Sequence, residues 1–439
     1  MRLPAPIPTK TIRTKRSGAD DDERAHSEPL DEMAQRSVVV IGAGMAGTAA
    51  AFAAARAGAS VVVVHDRVGA SALYSGALDR EPWDDARPGE SAAPRADVRR
   101  EAELGTFITA LGVHRLDGAA PSGGAWIATA SGVVRKAAGA DSALLDLAPL
   151  AGKRIWVADV ERDDWDAPLI ARTLAASDWA ARTGTAFVPA FVRLVRTGHE
   201  RRIAPYDFAA LHDEPVRRAA LADALGAALR DGDAWLLGPW LGADPATAPA
   251  VRALVRFPLG ETTSPMSGAA GARFEAARDR LFAVEGAAVR RGRVTRVSAR
   301  GARWAVELVA DADPRPTELE ASAVVLATGG VAAGGISFTW RQPEVVRGFE
   351  LPFVAPVTLG LDGEALGGGG SLFGPSLETI GLGALERVGI ACDDVGRPVG
   401  NHAEQSSLFA AGDAVAGRPR TMLDAALAGL TAGNVAARE

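Results

Sequence analysis

The valine-rich run Ser37-Val38-Val39-Val40-Ile41 leads directly into Gly42-Ala43-Gly44-Met45-Ala46-Gly47. No other junction constrains the chain so strongly. The run reads as a buried strand. An alanine-rich segment follows to about Ala57 and reads as a helix, Gly58 as its stop, and Ser60 to Val64 as a second strand. A strand, a G-x-G-x-x-G turn, a helix and a strand in this order form a dinucleotide-binding unit. Gly42 permits the tight turn, and Gly44 lets the backbone approach a pyrophosphate. The pyrophosphate rests, beside Ala43, Met45 and Ala46, at the positive end of the helix. Gly47 lets helix and strand pack closely.

The unit next calls for an acid at the end of its second strand, to grip the adenosine ribose. Here that strand ends Val64-His65-Asp66. Asp66 stands one place late for the role, and His65 fits either the site or an ordinary surface position.

Three later segments separate a flavin from a nicotinamide. Gly69 to Leu78 is a loop of small residues after the second strand, with Ser71, Ser75 and Gly76 as candidate contacts. Strands at Ala288 to Val297, which includes Val294, and at Arg303 to Val309 lead to Ala323-Val324-Val325-Leu326-Ala327-Thr328-Gly329-Gly330. Near the C-terminus stands Ser407-Leu408-Phe409-Ala410-Ala411-Gly412-Asp413-Ala414. In order, these resemble the flavin-facing loop, the closing strand and the last strand of two-dinucleotide-binding-domain flavoproteins. The resemblance implies cofactor contacts at Ala327, Thr328, Gly329 and Gly412, with the Asp413 carboxylate on the ribityl hydroxyls. A plain nicotinamide-dependent dehydrogenase needs neither later segment, so a tightly bound flavin is expected.

Composition narrows the chemistry. A single cysteine, Cys392, excludes a disulfide framework, a four-cysteine zinc site and a self-ligated iron–sulfur cluster. The net charge of −6 argues against a nucleic-acid partner. Only four of the 48 basic residues are lysine, a bias that carries little functional weight.

Residues 1 to 36 carry scattered prolines, a basic run at Thr14-Lys15-Arg16 and an acidic run at Asp20 to Glu23. They are too poor in apolar residues to offset ordering entropy and read as a disordered tail without a secretory h-region. Met33, just ahead of the first strand, is an alternative start. The apolar stretch Ser37 to Val64 divides into strand, helix and strand, so no membrane span is expected. The reading is cytoplasmic.

Between about Asp79 and Pro265 strands alternate with helices. A hairpin is expected at Ala125 to Lys136, and strands at Ile155 to Val160, Ala186 to Val195 and Ala234 to Leu241. Helices are expected after Asp166, from Pro215 with Leu221, Leu225 and Leu229 on one face, and over Thr247 to Val255. This describes a small parallel α/β insertion whose tryptophans, Trp156, Trp165, Trp179, Trp235 and Trp240, serve as core.

The expected class is therefore α/β: a Rossmann-like two-dinucleotide-binding-domain flavoprotein with an inserted α/β substrate or cap domain. The flavin-binding domain takes residues 37–80, 266–334 and 401–439. Residues 81–265 and 335–400 form the cap and partner-contact region.

More distinctive pieces are Ser71-Ala72-Leu73-Tyr74-Ser75-Gly76-Ala77-Leu78-Asp79, Gly132-Val133-Val134-Arg135-Lys136, Gly152-Lys153-Arg154-Ile155-Trp156-Val157, and Gly389-Ile390-Ala391-Cys392-Asp393 leading to Arg397-Pro398. As a set they resemble the B subunit of anaerobic glycerol-3-phosphate dehydrogenase. The resemblance implies a flavoprotein, described with FMN, that works with a catalytic A subunit and a membrane-anchoring iron–sulfur C subunit. Such a protein would lie peripherally at the inner membrane through its partner. Together the subunits oxidise sn-glycerol 3-phosphate and pass electrons towards quinone. Two departures stand out: Asp413, where an uncharged residue can occur, suits FAD, and Arg418-Pro419-Arg420-Thr421 replaces a glycine-rich helix start. The residues thus favour FAD and the resemblance favours FMN.

Oxidising an alcohol requires removal of a hydroxyl proton as hydride leaves carbon, together with cations for an anionic substrate. Arg418 and Arg420 are the candidate anion-binding residues, and His402 is the candidate base. His114, His199 and His212 are equally available by type. Two rival readings are a fumarate-reductase-like flavoprotein acting on another small acid or keto compound, and a non-catalytic flavin electron-transfer subunit.

Overall fold

The computed structural model describes residues 35–80, 98–116, 124–227, 234–266, 268–311, 313–341, 346–361, 364–365, 387–399, 406–418 and 420–439. The tail expected over residues 1–36 lies, but for its last two residues, outside them, as does His402. In chain order β1 (Ser37–Ile41), α1 (Met45–Arg56) and β2 (Ser60–His65) form the opening unit. Next come β3 (Arg154–Asp159), β4 (Ala186–Phe191), β5 (Ala234–Leu237) and β6 (Leu259–Glu261). Helix α2 (Ala269–Val284) leads to β7 (Ala288–Arg300), β8 (Arg303–Ala310), β9 (Asp313–Ala321) and β10 (Ala323–Leu326). β11 (Leu408–Ala410) and α3 (Met422–Ala436) complete the set.

Seven strands make one sheet in the order β9-β8-β7-β2-β1-β10-β11. The pairs β7–β2, β2–β1, β1–β10 and β10–β11 are all parallel. This is the doubly wound arrangement, in which ligands bind beyond the carboxyl ends of the strands near the point where the winding reverses, here beside β1. Val39 pairs with Val62 on one side and Val324 on the other. Because both faces are covered, the strands read as unbroken apolar runs. Val38, Val40, Val61 and Val63 pack under alanines of α1 and α3, while Val39, Ile41 and Val64 meet Trp304, Phe353, Ile390 and Leu408 on the opposite face.

Helix α1 is buried from Met45 to Ala54, and it lies directly against α3. A Cβ on Gly429 or Gly433 would come within 2.1 or 2.2 Å of the carbonyls of Ala46 and Ala50. These two glycines therefore set the approach of the helices.

After Arg291, β7 leaves the parallel sheet and joins β8 and β9 in an antiparallel meander. The sequence reading omits β9, whose Pro314 and Pro316 argue against a strand. As the edge strand it tolerates them, because an edge leaves one row of backbone groups outside the ladder.

The insertion carries a four-stranded parallel sheet, β6-β5-β3-β4, with its own core of Ile155, Trp165, Trp179, Trp235 and Trp240. The expected hairpin is present, with strands at Ala125–Ala128 and Val134–Ala137. Asp166 caps the following helix by accepting from the Leu169 amide at 2.9 Å. β4 and β5 end earlier than expected, at Phe191 and Leu237. Beyond β5, the Trp240 amide turns back to Gly238 O, and its ring meets Trp165 edge-on at 5.1 Å. Arg162 lies over the Phe208 ring and donates to the carbonyls of Glu200 and Ile203, both at 2.8 Å. Trp240 and Arg162 are thus both buried, just beyond the carboxyl ends of β5 and β3.

Candidate flavin site

The carboxyl ends of β1, β2, β10 and β11 converge on a cavity of about 250 Å³. Its floor is the glycine turn. Gly42 has φ +111°, and a Cβ there would lie 2.1 Å from Ala327 O. A Cβ on Gly47 would lie 1.9 Å from Gly42 O. Gly44 differs: within 4 Å a Cβ would meet only the Ser71 side chain, with Oγ at 3.2 Å. The Met45 amide, at the start of α1, donates to Ser71 Oγ at 2.9 Å. Gly42 and Gly47 therefore shape the turn, whereas Gly44 keeps its surface low beside a helix N-terminus suited to anions.

At the end of β2, His65, Asp66 and Arg67 line the cavity, and Arg67 Nε holds Asp66 Oδ1 at 3.1 Å. Burial lowers the His65 pKa, with Arg278 and Arg291 adding to the effect, so the imidazole is neutral at pH 7.

The opposite wall comes from Ala327, Thr328 and Gly329 after β10, from Val294 on β7, and from Asp413 after β11. Thr328 Oγ1 is buried and has no hydrogen-bond partner among the described residues. A buried hydroxyl left unpaired beside a cavity is an unmet hydrogen-bonding group. Arg420 lines the cavity beside Asp413. Its guanidinium donates to Asp413 O and, at 3.1 Å, to Val388 O. Thr421 caps α3 through its hydroxyl, which accepts from the Asp424 amide at 3.2 Å, and Thr421 and Met422 form part of the wall. A second helix N-terminus therefore opens on the same space.

Fourteen of the expected residues lie on this cavity: Gly42, Ala43, Gly44, Met45, Ala46, His65, Asp66, Ser71, Val294, Ala327, Thr328, Gly329, Asp413 and Arg420. Gly47 and Gly412 lie behind it as packing glycines, the latter with its Cβ position 2.6 Å from Ala46 Cβ. Ser75 and Gly76 instead face the insertion, their carbonyls accepting from the amides of Ser264 and Asp141. Arg418 is absent from the lining and sits 3.6 Å from Asp424. Among the alternative histidines, His199 is exposed, and buried His212 bonds the Trp240 carbonyl through Nδ1 at 2.8 Å. His114 is buried against Tyr74.

Sequence reasoning missed Arg67, Tyr74, Arg293, Phe353, Thr421 and Met422 as lining residues. Tyr74 sits within the recognised 69–78 loop. Phe353 carries no local signal, because its place depends on a segment far from the turn in sequence.

The residues present fit a flavin dinucleotide. One helix N-terminus with a bare glycine suits the pyrophosphate, Asp66 the ribose, and Asp413 the ribityl chain. Thr328 and the start of α3 would serve the ring, and FAD is the form this full set suits. A bound flavin supplies the hydride acceptor, and the chain's own groups bind and orient it. Among the described residues no helix is long and apolar enough to cross a membrane, and no cluster of His, Cys, Asp or Glu is placed to hold a metal ion.

Residues 36–113 match the family model of the pyridine nucleotide-disulphide oxidoreductases. No curated relative matches the chain. Among solved structures, similarity extends to CabE, an aromatic hydroxylase from angucycline biosynthesis, at 12% identity over 70% of this chain and 34% of that one, with a TM-score of 0.26. BexE, studied for oxidation during BE-7585A biosynthesis, gives 14% identity over 90% and 60%, with a TM-score of 0.31. Iminodiacetate oxidase (IdaA) from Chelativorans sp. BNC1 gives 16% over 91% and 93%, with a TM-score of 0.27. The chain spans about a third of the length of CabE. At these scores the site itself must carry the case for function.

Proposed function

We propose that the chain is a flavin-dependent oxidoreductase that binds FAD in the cavity at the carboxyl ends of the doubly wound sheet. The observation that carries this reading is that Asp413 and Thr328, whose hydroxyl has no partner among the described residues, both line a cavity floored by Gly44 and the start of α1. The substrate we propose is a small phosphorylated alcohol, sn-glycerol 3-phosphate, oxidised to dihydroxyacetone phosphate as by the complex whose B subunit the four distinctive segments together resemble. Arg420 and Arg293 on the cavity wall supply positive charge for such an anion. Arg418 is set aside for this role because it is absent from the cavity lining. Electrons would leave towards quinone through A-type and iron–sulfur C-type partners, with the protein peripheral to the membrane.

A second reading has its own support. Among the described lining residues the sole histidine is His65, at the ribose end. An electron-transfer subunit that turns over no substrate needs no base at the ring end, and among the described lining residues no histidine stands there.

The test is anaerobic. The protein is reconstituted with FAD and sn-glycerol 3-phosphate is added while the visible flavin band is followed. Bleaching by this compound, and none by glycerol, supports the dehydrogenase. Bleaching only after a partner subunit is added supports the electron-transfer reading. Reoxidation of the reduced protein by fumarate alone would favour the small-acid rival. A protein that takes up neither FAD nor FMN refutes the flavin reading.

A further inference from the structure

Tyr74 lines the cofactor cavity, yet its hydroxyl points away from it. Tyr74 Oη stands 2.7 Å from His114 Nε2 and 3.5 Å from Asp141 Oδ2. His114 is 8% exposed, and its Nδ1 has no hydrogen-bond partner among the described residues. Asp141 Oδ2 accepts from Arg273 Nε at 2.8 Å, and Arg273 continues to Glu261 on β6 and, at 2.6 Å, to Gly242 O. Glu261 Oε2 in turn accepts from the Leu241 amide at 2.7 Å. A continuous polar chain thus runs from the cavity wall into the inserted unit.

We propose that Tyr74 is a positioning residue of the cofactor cavity, its hydroxyl held between His114 and Asp141 so that the buried cluster under the insertion fixes the ring that forms the wall. The inference rests on the cavity being the flavin site.

The direction of the chain follows from the orphaned nitrogen. Burial drops the His114 pKa to about 4, so the ring is neutral at pH 7 and carries one N–H. Placing that proton on Nδ1 would bury a donor with nothing to accept it, whereas on Nε2 it meets the Tyr74 oxygen. His114 therefore donates to Tyr74, and Tyr74 donates to Asp141. Burial and Asp141 both push the Tyr74 phenol well above its ordinary value, so it keeps this proton. A phenol held at both lone pair and proton has one ring position. The loop bearing Tyr74 also bears Ser71, which covers the Met45 amide, and the Ala72 carbonyl packs on Gly271 of α2. Fixing Tyr74 therefore fixes the loop against both the start of α1 and α2.

The test compares FAD binding by wild type, Tyr74→Phe, His114→Gln and His114→Leu, read by Kd, by the visible circular dichroism of the bound flavin, and by Tm without flavin. Tyr74→Phe keeps the ring and removes the hydroxyl. It should weaken FAD about tenfold and alter the dichroism, with flavin-free Tm lowered by only a few degrees. His114→Leu should behave like Tyr74→Phe. His114→Gln presents an amide N–H where Nε2–H stands and should recover wild-type Kd to within about threefold. Unchanged Kd and dichroism in Tyr74→Phe, or equal behaviour of the Gln and Leu variants, would overturn the proposal. A wild type that takes up no FAD would refute the flavin reading and the positioning role with it. Alkaline ultraviolet titration of Tyr206→Phe, which leaves Tyr74 as the one tyrosine, then judges the hydrogen-bonded chain alone. Phenolate appearing before unfolding would show that the chain does not hold.

Discussion

The Ser71 hydroxyl accepts the Met45 amide at 2.9 Å, so the loop after β2 closes over an otherwise uncapped N-terminus of α1. The two stretches are 26 residues apart and stand in the sequence as separate signals. In the fold they form one device: the glycine turn leaves the amides bare, and the serine covers one of them. A phosphate arriving there meets both the remaining amides and a hydroxyl able to reorient.

Gly42→Ala and Gly44→Ala should fail in different ways. At Gly42 a side chain must adopt a positive φ, costing about 1–2 kcal/mol by itself, and its Cβ collides with Ala327 O. The fold should be visibly weakened, with or without flavin. Gly44 has φ −74° and open space apart from Ser71, so Gly44→Ala should keep the flavin-free Tm within a few degrees. On the proposed placement its methyl group would stand in the path of the pyrophosphate, so FAD occupancy should be lost. Normal occupancy in purified Gly44→Ala, by absorbance ratio, would show the pyrophosphate lies elsewhere.

Arg273→Met should be among the costliest single changes in the chain. Its side chain is 1% exposed between Asp141 and Glu261, both fully buried. Removing the cation leaves two carboxylates facing each other away from water, a loss of about 3–5 kcal/mol. Burial already pushes the Glu261 carboxyl up, against the pull of Arg273, so without the arginine it should take up a proton more readily. The deficit in urea midpoint should therefore be large at pH 7 and smaller at pH 5. A deficit that does not depend on pH would mean the cluster is not held by charge.

The nucleotide unit was legible because each of its features is local: strand, turn and helix follow within 20 residues, and Gly42 and Gly44 declare themselves by spacing. The insertion was legible from alternating strands and helices, and Trp165, Trp179, Trp235 and Trp240 form core as expected, while Trp156 is only half-buried against it. Other features were hidden for physical reasons. β9 carries prolines that an edge position excuses, and the roles of Gly429 and Gly433 exist only once α3 lies on α1. Arg418 and Arg420 look alike in sequence, two residues apart. The first turn of α3 sends one to Asp424 and the other to the cavity. The Tyr74–His114 pair joins residues 40 apart, and no pattern in either segment announces it.

Stability should fall in acid through two buried histidines. Burial lowers both His114 and His212 to about 4, against about 6.5 in the unfolded chain. The unfolded state then binds more protons between these values, so this stability is present above pH 6.5 and is lost as pH falls towards 4. Each contributes on the order of 3 kcal/mol when fully expressed. Glu261 and Asp424, raised by burial, act in the opposite sense at the acid end. The clean measurement is therefore a difference: Tm against pH for wild type and for His212→Asn, which keeps a donor for Trp240 O. The two curves should converge as pH falls from 6.5 to 4.5. Parallel curves would show that His212 is not held neutral.

FAD and FMN share the ribityl chain but differ in the pyrophosphate and adenosine, so two substitutions can divide the site. Asp413→Ala removes the carboxylate proposed for the ribityl hydroxyls. With a charge-assisted hydrogen bond contributing about 1.5–3 kcal/mol, both flavins should bind roughly ten- to a hundredfold more weakly at an unchanged ratio. Asp66→Ala acts only at the ribose end, where Asp66 and Arg67 stand at the cavity edge. It should weaken FAD several-fold and leave FMN alone. Isothermal titration of the flavin-free protein gives all six dissociation constants. A wild type that prefers FMN, with Asp66→Ala silent, would mean that the α1 end of the cavity holds a terminal phosphate and that the adenosine has no place in it.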